Sequence, residues 1–313
     1  MNRKSAVRVV SAVASAGAAT LLAAGPAAAA PRAAESSWTG AYATQASVRE
    51  SAADKALVTY VYDQLFNHYN TSVIDKYFSS DYIQHNPTVA NGPEALRAFV
   101  ENRKATTPAG TRTVIKQVIA QGDLVLLLTN GGVSDTSKGR ALVDVFRVED
   151  HRIVEHWDTI QQVPATTASG HDMFATLTSP RTDAAPPASR TAGSERVVRA
   201  YLQELLGEKD LDAVGSHVSP SLVQHDPAVA DGAAATRQAY AGLFADHPQF
   251  RATVARVVAE GDLVAVHLHL QNTPSDLGTS VYEIFRVRQG RIIEHWSVSQ
   301  AVPATSVNGN SMF

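Results

Sequence analysis

The segment Leu142-Val143-Asp144-Val145-Phe146-Arg147-Val148, with Arg152-Ile153-Val154-Glu155-His156-Trp157 close behind it, returns downstream as Val281-Tyr282-Glu283-Ile284-Phe285-Arg286-Val287 and Arg291-Ile292-Ile293-Glu294-His295-Trp296. Both halves are apolar, β-branched runs, and Asp150-His151 or Gln289-Gly290 sits between them where a tight hairpin turn belongs. The pattern therefore predicts two long antiparallel strands, made twice. Working outward, Gln84-His85-Asn86-Pro87 returns as Gln224-His225-Asp226-Pro227, and Gly122-Asp123-Leu124-Val125 returns as Gly261-Asp262-Leu263-Val264. The chain is a tandem duplication.

Within each copy, helical spacing comes first. Leu57, Val58, Val61, Tyr62, Leu65 and Phe66 fall on one face of a helix, matched by Val197, Val198, Tyr201, Leu202, Leu205 and Leu206. A short helix is expected over Asp75 to Phe78 and a third over Pro93 to Lys104, followed by strands over Thr111–Ala120, Leu124–Asn130, Ala141–Val148 and Arg152–Val163. Helices first and a meander afterwards is an α+β order.

The ends and the middle read differently. Arg3, Lys4 and Arg8 precede an Ala/Val/Leu run ending in Ala27-Ala28-Ala29, the pattern of a secretory signal cleaved near Ala29. The expected organisation is a signal over 1–29, a disordered segment over 30–46, a first domain over 47–174, a Pro-rich linker over 175–193 and a second domain over 194–313. Loss of the signal removes three basic residues and no acid, taking the formal charge from −3 to −6. An acidic chain of this kind has no basic field for nucleic acid, and no membrane attachment is expected once the signal is gone. With no cysteine there is no disulfide, thiolate nucleophile or cysteine-ligated zinc.

Acids inside hydrophobic strands mark the candidate chemistry. Asp144 and Glu283 would be costly there unless paired or used, and burial moves a carboxyl group toward the range that a general acid or base needs. Counted from a two-residue turn, Asp144 faces Trp157 and Glu283 faces Trp296, so each tryptophan would wall a cavity beside its acid. On the same count Val143, Val145, Val154 and His156 occupy the reverse face, toward a second domain. A slip of one residue would exchange the two faces.

His267 and His269 share one face of a strand and replace Leu128 and Asn130 of the first copy. His269 and Glu283 are the expected acid/base dyad, with Asn130 and Asp144 as its weaker counterpart. His85 and His225, at the Asx-Pro turns, are expected at the cavity mouth. With His267, Asn130, Tyr62 and the two tryptophans they complete the set expected to contact ligand. A His267-x-His269 metal site with His225 or Glu283 is an alternative use of the same residues. No phosphate loop, Gly-x-Gly-x-x-Gly or Gly-x-Ser-x-Gly motif occurs.

Tyr82-Ile83-Gln84-His85-Asn86-Pro87, Asp144-Val145-Phe146-Arg147 and Glu155-His156-Trp157-Asp158, in this order, resemble the SnoaL-like polyketide cyclases of the nuclear-transport-factor-2-like superfamily, which also includes ketosteroid isomerase and the limonene epoxide hydrolases. The resemblance implies two cone-shaped α+β barrels, each with a deep apolar pocket for a small hydrophobic molecule. It implies cofactor-independent acid/base catalysis of an aldol or isomerase type, its carboxylate falling on Asp144 and Glu283 and its histidine on His269. A non-catalytic extracellular binding protein and a metal-dependent or epoxide-opening hydrolase are the alternatives. Because such domains commonly pair through the outer sheet face, the two copies are expected to form an internal pseudo-dimer, with assembly into a homo-oligomer left open.

Overall fold

A computed structural model describes residues 45–175 and 186–313. The expected signal, residues 30–44 of the segment expected to be disordered and residues 176–185 of the expected linker lie outside them, while Gln45 and Ala46 of that segment open a helix. Each copy runs helix, short helix, strand, helix and then four strands. In the first these are α1 (Gln45–Phe66), α2 (Ser72–Tyr77), β1 (Phe78–Gln84), α3 (Pro93–Thr106), β2 (Arg112–Gln121), β3 (Leu124–Val133), β4 (Arg140–Glu149) and β5 (Arg152–Gln162). The second repeats them as α4 (Ala188–Leu202), α5 (Asp212–His217), β6 (Val218–Gln224), α6 (Ala233–Asp246), β7 (Arg251–Glu260), β8 (Leu263–Gln271), β9 (Thr279–Arg288) and β10 (Arg291–Ala301). Helix α4 continues through a π-helical turn at Gln203–Gly207. It begins at Ala188, inside the stretch read as linker, because Pro187 ends the extended chain and Ala-Ser-Arg can start a helix directly after it.

The sheet orders are β1-β5-β4-β3-β2 and β6-β10-β9-β8-β7. β1 lies parallel to β5 and β6 parallel to β10, while the other neighbours are antiparallel. The fold is α+β, one unit of three helices and a five-stranded mixed sheet made twice in tandem. α3 shows why the helices start and stop where they do. Pro93 opens it where an N–H would lack a partner anyway, Glu94 lies in its first turn, and Arg103 and Lys104 complement the carbonyl end.

The turns match the sequence reading: Asp150 and His151 have φ of 48° and 59°, and Gln289 and Gly290 have 50° and 72°, a left-handed pair in each hairpin. Beyond the turns the register departs from it. Val148 pairs Ile153, but Arg147 pairs Glu155, so Val154 is an extra residue bulged out of β5. Ile293 is bulged in the same way, since Val287 pairs Ile292 and Arg286 pairs Glu294.

That single residue exchanges the faces. Asp144 pairs Asp158, Val145 pairs Trp157 and Phe146 pairs His156; in the second copy Glu283 pairs Ser297, Ile284 pairs Trp296 and Phe285 pairs His295. His156, expected at the seam, turns inward beneath the helices. Trp157 and Trp296, expected beside the acids, turn to the reverse face.

On that reverse face Ile119, Leu126, Leu128, Val143, Val145 and Trp157 pack in one buried cluster with Val258, Ala265, Tyr282, Ile284, Trp296 and Val298. Burial of each larger side chain is worth about 1.5–3 kcal/mol, so the layer between the sheets is a principal source of stability. Reciprocal hydrogen bonds frame it. Gln300 Oε1 accepts from Ile160 N at 2.8 Å and Gln161 Oε1 from Ser299 N at 2.8 Å, and Glu260 Oε2 accepts from Ala120 N at 2.9 Å as Gln121 Oε1 does from Ala259 N at 2.7 Å. Each bond of one copy is answered by one at the equivalent position of the other.

Candidate functional site

The inward face of each sheet and the helices above it enclose a cavity, about 160 Å³ in the first copy and about 420 Å³ in the second. The difference is written in aligned residues. Phe78, Tyr82, Phe99, Arg140, Asp158 and Ile160 line the first, where Val218, Leu222, Ala239, Thr279, Ser297 and Ser299 line the second. Each exchange shortens a side chain and leaves space that the close-packed surroundings do not refill.

At the floor of the larger cavity Glu283, 6% exposed, is bonded through Oε2 to His295 Nε2. Two contacts on Gln224 decide where the protons lie. Its Oε1 accepts the Asp226 backbone N–H at 2.9 Å and also meets His295 Nδ1 at 2.8 Å. A backbone N–H can only donate, so this atom is the amide oxygen and His295 Nδ1 must carry a hydrogen. Two lone pairs facing each other between Nε2 and Oε2 would repel, so one further proton is shared between histidine and glutamate. Burial opposes a charged His295, but the Glu283 carboxylate, with Asp226, outweighs it and holds the imidazole above its ordinary range.

The first copy repeats this wiring. Gln84 Oε1 accepts from Asn86 N at 2.9 Å and from His156 Nδ1 at 2.8 Å, and His156 Nε2 lies 3.2 Å from Asp144 Oδ1. The hydroxyl of Tyr62 donates to Asp144 Oδ2 at 2.9 Å. Burial, then the Asp144 charge, pushes the Tyr62 phenol well up, which keeps it a donor.

The copies differ in where their second acid stands. In the first, Asp158 on β5 accepts from Asn86 Nδ2 at 2.6 Å, and burial pushes it up to about 6, against the pull of His156 and with the push of Asp144. In the second, Ser297 replaces Asp158, and the acid is Asp226, at the place of Asn86. Burial first, and then Glu283, raises Asp226 above the usual carboxyl range. Tyr201 and Tyr240 are raised by burial and then by Glu283, so their phenols stay protonated.

Of the residues singled out from sequence, Asp144, Glu283 and Tyr62 line the cavities. The others do not. His269 pairs Ser280 rather than Glu283, and places Nε2 2.9 Å from the Leu277 carbonyl while stacking on Phe313, so the expected dyad is not assembled. His267 stacks on Tyr282 and meets Ser280 Oγ at 2.7 Å, and burial next to Arg256 keeps it well below the ordinary imidazole range. Asn130 pairs Ala141, part of the layer between the sheets. His85 stacks on Trp157 and reaches Ser311 O at 2.6 Å, and His225 stacks on Trp296 and reaches Asp172 O at 2.8 Å. Each ties the tail of the opposite copy to its own Gln-His turn. Among the described residues His267 and His269 are not drawn together with His225 or Glu283 into a cluster that could hold a metal ion.

Sequence reasoning missed His156, His295, Gln84, Gln224, Asp158 and Asp226. A signal was present, because a Gln and a His recur at fixed spacing from an in-strand acid in both copies. It was read on the wrong face.

The SnoaL-like domain model matches the chain twice, over residues 58–156 and 198–295. None of the curated proteins matches. Among solved structures the chain is similar to a loop-truncation variant of IdmH from Streptomyces antibioticus, at 25% identity and a TM-score of 0.31 over 34% of this chain and 92% of that one. It is also similar to an NTF2-like protein of unknown function from Mesorhizobium loti, at 18% identity and a TM-score of 0.33 over 37% of this chain and 98% of that one. An LEH-like epoxide hydrolase from M. tuberculosis matches at 22% identity and a TM-score of 0.30, over 35% of this chain and 84% of that one.

Proposed function

The chain belongs to the SnoaL-like domain family, twice over, and from that premise we propose that its second domain is a cofactor-independent acid/base catalyst acting on a small, neutral, apolar carbonyl compound. The observation that carries this reading is the Glu283–His295 pair, holding one shared proton at the floor of a 420 Å³ cavity lined by Leu222, Leu243, Phe250 and Val281. In the proposed step the Glu283 carboxylate takes a proton from the carbon next to the substrate carbonyl, and the electron pair moves onto the carbonyl oxygen. His295, fixed by Gln224, holds the charge of Glu283 in place. Asp226, whose carboxyl group burial and then Glu283 raise, faces the same cavity and is the proposed hydrogen-bond partner of the developing enolate. Return of the proton at another position gives isomerisation; attack of the enol carbon on a second carbonyl gives ring closure.

The same proposal includes export, supported by the basic start and Ala-rich run of residues 1–29. A mature mass beginning at Ala30 in the culture medium tests it.

Exchange of α-hydrogen for deuterium tests the chemistry without the physiological substrate. A panel of apolar ketones in D₂O should gain deuterium with the full chain and not with Glu283→Gln, followed by mass spectrometry. Equal exchange by a folded Glu283→Gln protein would reject the assignment.

A further inference from the structure

The first copy carries a cluster that the second has lost. Asp144, His156 and Asp158 are all buried, and each offers a ligand atom within 4.8 Å of the other two. Among the described residues no other trio of His, Asp and Glu is drawn together in this way. We propose that this cluster is a binding site for one divalent transition-metal ion, with the second domain binding none.

Three observations support it. The first is an atom with nothing to do: Asp158 is 5% exposed and its Oδ1 has no hydrogen-bond partner, although the residue lines the cavity. An orphaned carboxylate oxygen is costly in such a place, and a cation would satisfy it.

The second is that every ligand is held from behind. Gln84 Oε1 accepts from His156 Nδ1, which directs the Nε2 lone pair toward the acids. Tyr62 donates to Asp144 Oδ2 and leaves Oδ1 for the ion, and Asn86 Nδ2 donates to Asp158 Oδ2. Outer hydrogen bonds of this sort orient the ligands of metal sites. His156 Nε2 and Asp144 Oδ1, 3.2 Å apart, already span an edge that metal–ligand bonds of about 2.0–2.2 Å can bridge.

The third is the contrast between copies. Ser297 stands where a third ligand is needed, and Asp226 stands where Asn86 supplies the outer donor. One imidazole and two carboxylates suit zinc, manganese, iron or cobalt better than calcium or copper(I). The 160 Å³ cavity has room for a water or small oxygen ligand on the ion.

The test is a Co²⁺ titration of the full chain, free of any polyhistidine tag, followed by visible absorption and by metal analysis after gel filtration. One equivalent per chain is expected. Asp158→Asn should weaken binding about 100-fold, and Gln84→Leu, which keeps every ligand, about 10–100-fold. The paired substitutions S297D and D226N should add a second equivalent. No retained Co²⁺, two equivalents in the unaltered chain, or binding unchanged in both Asp158→Asn and Gln84→Leu would overturn the proposal. His68→Gln, at an exposed imidazole, should leave the stoichiometry at one.

Discussion

The side-chain oxygen of Gln224 fixes the tautomer of His295. Because that oxygen also accepts the Asp226 backbone N–H, it cannot rotate to offer its amino group without losing a bond. Gln224→Leu should therefore release the imidazole. The α-deuteration rate should fall about tenfold or more with little change in KM, the behaviour of a positioning residue. Imidazole ¹⁵N shifts check the cause: Nδ1 should carry its hydrogen in the parent protein and a mixture should arise in the variant.

Stability of the second domain should decline as pH rises. The folded His295 is raised above its ordinary 6.5, so its contribution is complete below that value and is lost as pH climbs through the folded value. Asp226, raised above 3.8, acts in the same direction from lower pH. Calorimetric Tm should fall as pH climbs above the ordinary imidazole value of 6.5, and His295→Asn should flatten the slope. A slope unaltered by that substitution would contradict the role given to His295.

Cavity size should govern substrate size. Ala239 stands where the first copy has Phe99, and Ala239→Phe restores the bulk that narrows the first cavity. Exchange into bulky cyclic ketones should drop at least about tenfold, while exchange into acetone-sized ketones holds, because loss of fit in an apolar pocket costs about 1–3 kcal/mol. Parallel rates on both would mean that the ligand enters elsewhere.

Trp296, 1% exposed, belongs to the layer between the sheets and not to the site. Trp296→Ala should cost about 3–5 kcal/mol in chemical denaturation. Exchange activity per folded molecule should stay close to that of the parent at low temperature.

The hairpin at Asp150-His151 invites a stabilising change. His151 holds φ of 59°, where the second copy has Gly290. A left-handed side chain costs about 1–2 kcal/mol, so His151→Gly should gain up to about 1 kcal/mol after its own entropic cost, seen as a shift in the denaturation midpoint.

Much of the architecture could be read from one strand pair and its repeat. The amphipathic spacing of Val58, Val61, Tyr62 and Leu65, the Pro93 helix start and the paired turns are local signals, and the structure carries all of them. The site was legible in part. An acid inside an apolar strand marks its own position, so Asp144 and Glu283 were found from the chain alone. Their histidines were not, since identifying them required knowing which neighbours share a face.

Duplication, helix and strand types, turn chemistry and the two buried acids were determined by the sequence itself, because each rests on spacing within a few residues or on repetition along the chain. The tertiary structure decided the faces. One bulged residue, Val154 in β5 and Ile293 in β10, turned His156 and His295 toward the acids and sent the tryptophans into the seam. A strand alternates sides at every residue, so one unpaired position reverses all that follows, and whether it bulges depends on packing from two sheets that no local window contains.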